Sequence, residues 1–226
     1  MGKFYSIAID GPAGAGKSTI AKRLAKELGY CYVDTGAIYR TVGYFYDLVG
    51  IGPKDVDGIH RLINEFVIEI EYDPEDGSQH MLLNELDVTD DIRSPEMSQI
   101  ASLISANKEV RAAMLDMQRD VAKKHNVIMD GRDIGTVVLP KADVKIFLTA
   151  SAEVRAQRRF AELQAKGVKD SLAKVLKDIE QRDYQDSHRA VAPLKQAKDA
   201  VLVDTSDMDL DQVVEAIKAI VREKIG

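Results

Sequence analysis

The chain has 226 residues, of which 45% are hydrophobic, with a formal net charge of −6 and a single cysteine, Cys31. That length holds one large domain or one domain with an insert. The negative charge argues against a broad nucleic-acid surface, and one cysteine excludes both an internal disulfide and a cysteine-rich zinc site. No signal peptide, transit peptide or membrane span is visible, which points to a cytoplasmic, reducing compartment.

In chain order, residues 4–9 are a short apolar run of strand type. They lead into Gly11-Pro12-Ala13-Gly14-Ala15-Gly16-Lys17-Ser18-Thr19, which fits the phosphate-binding pattern G-x-x-x-x-G-K-[ST]. Behind it, Ile20, Leu24 and Leu28 mark one face of a helix over 18–28, and Gly29 stands where a helix stops. Strand, glycine-rich loop and helix together predict a bound nucleoside triphosphate. Backbone N–H groups would cradle its phosphates, Lys17 would reach the β- and γ-phosphates, and Ser18 would bind Mg²⁺. Further strands are predicted at 31–33, 127–129, 144–148 and 200–203. Helices are predicted at 37–49, 95–106, 110–124, 152–166, 172–184 and 210–225, with Ser94, Ser151 and Ser171 as N-caps. This alternation reads as α/β with a mainly parallel sheet. Residues 65–91 break the rhythm. Ile68, Ile70 and Tyr72 alternate with acids, residues 73–77 form a turn, and 81–83 and 86–88 can return as strands, which suggests a small antiparallel insert.

Three clusters fall where strands end or helices begin, the edge at which open α/β sheets bind ligands. In Asp34-Thr35-Gly36-Ala37-Ile38-Tyr39-Arg40, Thr35 can cap a helix and Arg40 can add a bidentate phosphate contact, although an ordinary capped helix would look the same. In Met129-Asp130-Gly131-Arg132-Asp133-Ile134-Gly135, a strand ends in an aspartate of the kind that holds Mg²⁺, often through water, and a base and an acid follow in a glycine-rich turn. Arg155, Arg158 and Arg159 share a helix face, and Arg182, Asp183, Asp186 and Arg189 extend the charge. A solvated helix surface would explain that series alone, whereas beside a phosphate loop the arginines suit phosphoryl transfer. A nucleotide switch is disfavoured. Asn107-Lys108-Glu109-Val110 lacks the aspartate of a guanine motif, and Asp55-Val56-Asp57-Gly58 does not follow a strand.

The clusters, together with Arg189-Ala190-Val191-Ala192-Pro193-Leu194, make the chain resemble the bacterial cytidylate kinases, a family of nucleoside monophosphate kinases, along essentially its full length. The resemblance implies a single P-loop kinase domain over 1–226 with five parallel strands flanked by helices. It also implies an acceptor-binding region at about 35–106 that carries the insert, and a lid at about 152–189. The implied partners are ATP and CMP or dCMP, with Mg²⁺ as cofactor, no nucleic acid or membrane, and a monomeric chain. Residues 11–19 would bind ATP. Thr35, Arg40 and Arg132 would hold the acceptor phosphate. Ser102, Arg111, Asp133 and Arg189 would read cytosine, and Arg182 and Asp186 would meet the sugar. The implied catalytic set is Lys17, Arg132, Arg155, Arg158 and Arg159, with Ser18 and Asp130 toward the metal. Family members often carry serine where this chain has Thr35, and the hydroxyl is kept.

Overall fold

The computed structural model describes residues 3–73, 75, 77–165 and 167–226. The predicted turn at 73–77 and the predicted helix end at 166 therefore lie partly outside the described residues.

The first half of the large sheet comes from β1 (Ser6–Asp10), β2 (Cys31–Asp34) and β6 (Val127–Gly131), and the rest from β7 (Val144–Thr149) and β8 (Val201–Asp204). Their order is β2-β6-β1-β7-β8, all parallel. The central strands are buried on both faces, which explains why they read as unbroken apolar runs. The register sets Asp10 opposite Gly131 and Asp34 opposite Asp130. The carboxyl ends of β1, β2 and β6 thus form one edge, and the charged clusters gather there.

Helices cover both faces. α1 (Lys17–Leu28) and α8 (Leu210–Ile225) pack Ile20, Leu24, Val214 and Ile217 against Ile7, Ile9 and Ile146. On the other face, α2 (Thr35–Leu48), α4 (Pro95–Ile104) and α5 (Lys108–Lys124) bring Ile38, Val42, Ile104 and Val110 to Ala8 and Met129. The insert is the antiparallel sheet of β3 (Ile68–Tyr72), β4 (Gln79–Leu83) and β5 (Leu86–Asp87), as expected. Asn84 and Glu85, with φ of 49° and 69°, make the tight turn between β4 and β5. α6 (Ala152–Ala165) and α7 (Leu172–His188) form a hairpin around their own small cluster of Ala156, Leu163, Val175 and Ile179.

Two expectations need correction, and one short helix goes beyond what was expected. Asp34, not Thr35, caps α2. Its carboxylate accepts Ala37 N–H, while Thr35 is the first helical residue and its hydroxyl donates to the Asp130 carbonyl at 2.8 Å. α7 runs a turn past 184, to His188. Asp55-Val56-Asp57-Gly58 opens a short helix, α3 (Val56–Leu62), with Asp55 accepting Gly58 N–H, and Asn107 caps α5 in the same way. Local capping thus accounts for both switch-like fragments. The caps expected at Ser94, Ser151 and Ser171 are present.

Candidate active site

The loop after β1 is built for close approach. A Cβ on Gly11 would lie 1.9 Å from the Leu148 carbonyl oxygen, and Gly16 holds φ +85° at the start of α1. α1 receives no side-chain cap, in contrast to α2, α4, α5, α7 and α8. Its first N–H groups are therefore left for an anion. Within the loop and the first turn of α1, Ala15 is buried while Gly14, Ser18 and Thr19 are exposed. Two loop carbonyls are engaged. Pro12 accepts from Lys17 Nζ at 2.7 Å and Ala13 from Arg155 Nη1 at 2.9 Å. Burial, followed by the charge of Arg132, pushes the Lys17 ammonium well below its ordinary pKa. A bound polyanion would reverse that bias.

Ser18 Oγ donates to Asp130 Oδ2 at 2.8 Å, and Tyr32 Oη to Oδ1 at 3.0 Å. Burial, then the neighbouring Asp34, raises the Asp130 pKa to about 6. A hydroxyl and a carboxylate this close are oxygen donors that suit a hard cation retaining several waters. Among the described residues no group of three or more His, Cys, Asp or Glu could hold a metal unaided. Phosphate and water would have to complete the shell, as Mg²⁺ prefers.

The second half of the site comes from five elements. From α2, Arg40 Nη2 donates to Asp34 Oδ2 at 2.9 Å, and its Nε is buried with no partner. From the turn after β6, Arg132 Nε donates to Asp186 Oδ2 on α7 at 2.7 Å, and Ser102 Oγ on α4 lies 3.5 Å from Asp186 Oδ1. Burial would raise the Asp186 pKa, but Arg132, Arg182 and Arg189 hold it below its ordinary value. Arg182 Nε is also buried without a partner. Burial, then Arg132, lowers the Arg182 pKa to about 10, with Arg40 and Arg159 adding repulsion. Lys17, Arg40, Arg132, Arg159 and Arg182 thus share one field, countered there by Asp34, Asp130 and Asp186.

Beside this group lies an ion network. Arg111 on α5 pairs with Asp133 Oδ2 and donates to the Ser105 carbonyl at 3.2 Å. Arg189, just past α7, donates to Asp133 Oδ1 at 3.3 Å and to Ser105 Oγ at 3.1 Å. Burial raises the Asp133 pKa, with both arginines pulling the other way. Each carboxylate oxygen keeps a lone pair for a further donor.

The three arginines of α6 do not act as one face. Arg155 is buried and donates to the Ala150 carbonyl at 2.9 Å and to Asp183 at 2.6 Å, besides Ala13. Arg158 turns to Thr205, with Nη2 2.6 Å from its carbonyl oxygen. Arg159 meets Glu162 at 3.1 Å near the surface. In this conformation Arg155 and Arg158 are structural ties, and Arg159 is the member within the field of Arg182.

Sequence reasoning assigned no role to Asp10, Tyr72 or Gln79. Asp10 accepts the N–H groups of Ile134 and Gly135, both at 2.7 Å, and so braces the π-helical turn Ile134–Val138 that follows Asp133. Its signal was an acid ending an apolar strand immediately before the glycine loop. The signal for Gln79 was an amide at a core-facing position, in step with Met81 and Leu83.

A family model described as "Cytidylate kinase" matches residues 7–223. The cytidylate kinase of Leuconostoc mesenteroides is 49% identical over 222 residues, covering 98% of each chain. That of Carboxydothermus hydrogenoformans is 49% identical over 218 residues, covering 96% of this chain and 97% of its own. An uncharacterized protein from Eubacterium ventriosum shares the fold, with a TM-score of 0.55 at 13% identity over 98% of this chain and 99% of that one. The phosphate loop, the arginine-rich edge and nearly full-length similarity agree: the chain belongs to the cytidylate kinase family.

Proposed function

We infer that the chain transfers the γ-phosphoryl group of ATP to CMP or dCMP, giving ADP and CDP or dCDP. The carrying observation is the gathering of cations at the strand edge, where the buried Nε atoms of half-buried Arg40 and Arg182 lack acceptors. Leaving such groups unpaired costs about 1–3 kcal/mol each, so the arrangement favours an anionic ligand. A nucleoside monophosphate supplies that anion, with its phosphate at Arg40 and Arg132, and at Thr35 once its hydroxyl turns from the Asp130 carbonyl. Its sugar lies toward Arg182 and Asp186, and its base toward Ser102, Arg111, Asp133 and Arg189. Cytosine matches this last group, since its amino donor meets the Asp133 carboxylate and its ring acceptors meet arginine N–H groups. Uracil presents an oxygen where cytosine presents the amino group, so it would face Asp133 with an acceptor.

No general base is required. The acceptor phosphate, with a second pKa near 6, is largely dianionic at neutral pH. One of its oxygens attacks the γ-phosphorus, the bond to the β–γ bridging oxygen breaks, and that electron pair leaves on ADP. The obstacle is repulsion between the phosphates. Lys17, Arg132 and Arg159 offset it and hold the groups in line. Bound Mg²⁺, held by Ser18 and through water by Asp130, would neutralise charge on the β- and γ-phosphates.

In this reading residues 35–106 bind the acceptor and 152–189 are a lid. The separate cluster inside the α6–α7 hairpin supports movement of the lid as a unit. Closure would exclude water, the competing acceptor. The same reading takes the chain as a cytoplasmic monomer acting on small molecules; among the described residues no helix is long and apolar enough to cross a membrane. A coupled ADP-release assay with ATP, Mg²⁺ and CMP or dCMP tests the function. CDP or dCDP should accumulate with ADP, and release no faster than without acceptor would overturn the assignment.

A further inference from the structure

β3 and β4 place Tyr72 and Gln79 opposite one another as a cross-strand pair. Both side chains reach out of the small sheet to β2, an edge strand of the large one. Tyr72 Oη donates to the Tyr32 carbonyl at 3.0 Å, and Gln79 Oε1 accepts the Asp34 N–H at 2.8 Å. Edge strands expose N–H groups that must find a partner or water. Here the insert provides that partner from a buried position: Gln79 is 9% exposed, and its Nε2 donates to Met81 Sδ at 2.9 Å. An apolar side chain of the same size would fill the space equally well. It would leave the Asp34 N–H unsatisfied, so the amide is a specific choice.

Asp34 is the residue on which Arg40 depends. Its Oδ1 accepts Ala37 N–H at 2.9 Å, and its Oδ2 accepts from Arg40. There is little slack around this pair. A Cβ on Gly36 would lie 3.0 Å from Asp34 Oδ1 and 3.1 Å from Arg40 Nη1. Gln79 holds the Asp34 backbone, and the Asp34 carboxylate holds the guanidinium. We propose that Gln79, at the end of the insert, is a positioning residue for the acceptor phosphate, acting through Asp34 on Arg40. It touches no reacting atom. The inference rests on the functional reading above, and it gives the insert a task in acceptor binding that its own folding does not require.

Gln79→Met keeps the unbranched stem and nearly the volume while removing the acceptor oxygen. It should raise the KM for CMP about tenfold, the equivalent of one lost buried hydrogen bond, with the KM for ATP unchanged. Gln79→Glu keeps an acceptor oxygen at the positive end of α2, so its KM for CMP should stay within about threefold of wild type. A mere packing role would not produce the third expectation: in an Arg40→Ala background, Gln79→Met should add nothing further to the KM for CMP. Equal increases for CMP and ATP, additivity with Arg40→Ala, or a tenfold rise in Gln79→Glu would each overturn the proposal. Thermal melts on each variant confirm that folded protein is compared, and Gln79→Ala, which also removes the acceptor oxygen, carries the same KM and double-mutant tests should Gln79→Met not fold. A wild type that makes no CDP would sink the functional reading and this inference with it. CDP formation with an unchanged KM in Gln79→Met would sink the inference alone.

Discussion

The donor and acceptor halves proposed for the site are built in different ways. The donor half is nine consecutive residues, 11–19, whose working groups are mostly backbone N–H and one lysine. The acceptor half is an assembly of side chains. Arg40, Ser102, Arg111, Arg132, Asp133, Arg182, Asp186 and Arg189 come from α2, α4, α5, the turn after β6, and α7 with its end. Backbone recognition suits a phosphate chain that every nucleotide shares. Side-chain recognition suits the part that differs between substrates. Damage to the first half should therefore abolish chemistry for any acceptor, and damage to the second should change which acceptor is used.

The largest effect is expected at Lys17. Lys17→Ala should lower kcat by about 1,000-fold or more, since it removes charge that stabilises the transferring group. Fluorescence or calorimetric titration should still find CMP binding. Lost CMP binding would mean that the two halves are not separable.

Asp133→Ala attacks the other half. It leaves Arg111 and Arg189 facing each other without their shared carboxylate, and removing one partner from a buried ion network costs about 3–5 kcal/mol. Denaturant unfolding should show that loss, and the preference for CMP over UMP should collapse. A preference retained in the folded variant would remove Asp133 from base reading.

Asp10 joins the halves, since it precedes the glycine loop and braces the turn after Asp133. Burial raises its pKa from 3.8 to about 6. A carboxyl raised on folding contributes stability that is fully present below about pH 4 and is lost as pH rises through about 6, because the folded state holds its proton longer. The stability of wild type relative to Asp10→Asn should therefore fall by about 3 kcal/mol between pH 4 and 7. Parallel stability curves would show that Asp10 is not titrating there.

The smallest effect is expected at Arg182. Arg182→Ala should raise the KM for CMP about tenfold, the value of one charge-assisted contact. Thermal melting of the ligand-free protein should not drop, because burial disfavours this guanidinium and its Nε has no partner. A large loss of stability would make Arg182 a structural residue.

The same contrast decides what could be read from sequence. The donor loop was legible because its parts are contiguous and its glycines answer local backbone demands. The strands were legible because burial on both faces demands unbroken apolar runs. Helix starts were ambiguous wherever two capping residues stand together. At Asp34-Thr35 the choice is made by a tertiary bond, the Thr35 hydroxyl to the Asp130 carbonyl. α3 escaped notice because a two-turn helix with only Ile59 fully buried has little periodicity to show. The last turn of α7 carries Gln185, Asp186, Ser187 and His188, with no apolar stripe. The spacing of Arg155, Arg158 and Arg159 predicted a shared face but not that two of them would be taken by the Ala13, Ala150 and Thr205 carbonyls. For Tyr72 and Gln79, alternation could say that a residue points inward, not that it would reach a strand some forty residues away.

The most direct test of side-chain selection in the acceptor half is a competition in one tube. Wild-type protein, ATP and Mg²⁺ are mixed with equimolar CMP and UMP, and CDP and UDP are separated and quantified at early times. The expected result is CDP in at least about fivefold excess, since one wrongly paired buried polar group costs about 1–3 kcal/mol. Equal formation of CDP and UDP would contradict the assignment of Asp133, Arg111 and Arg189 to the base.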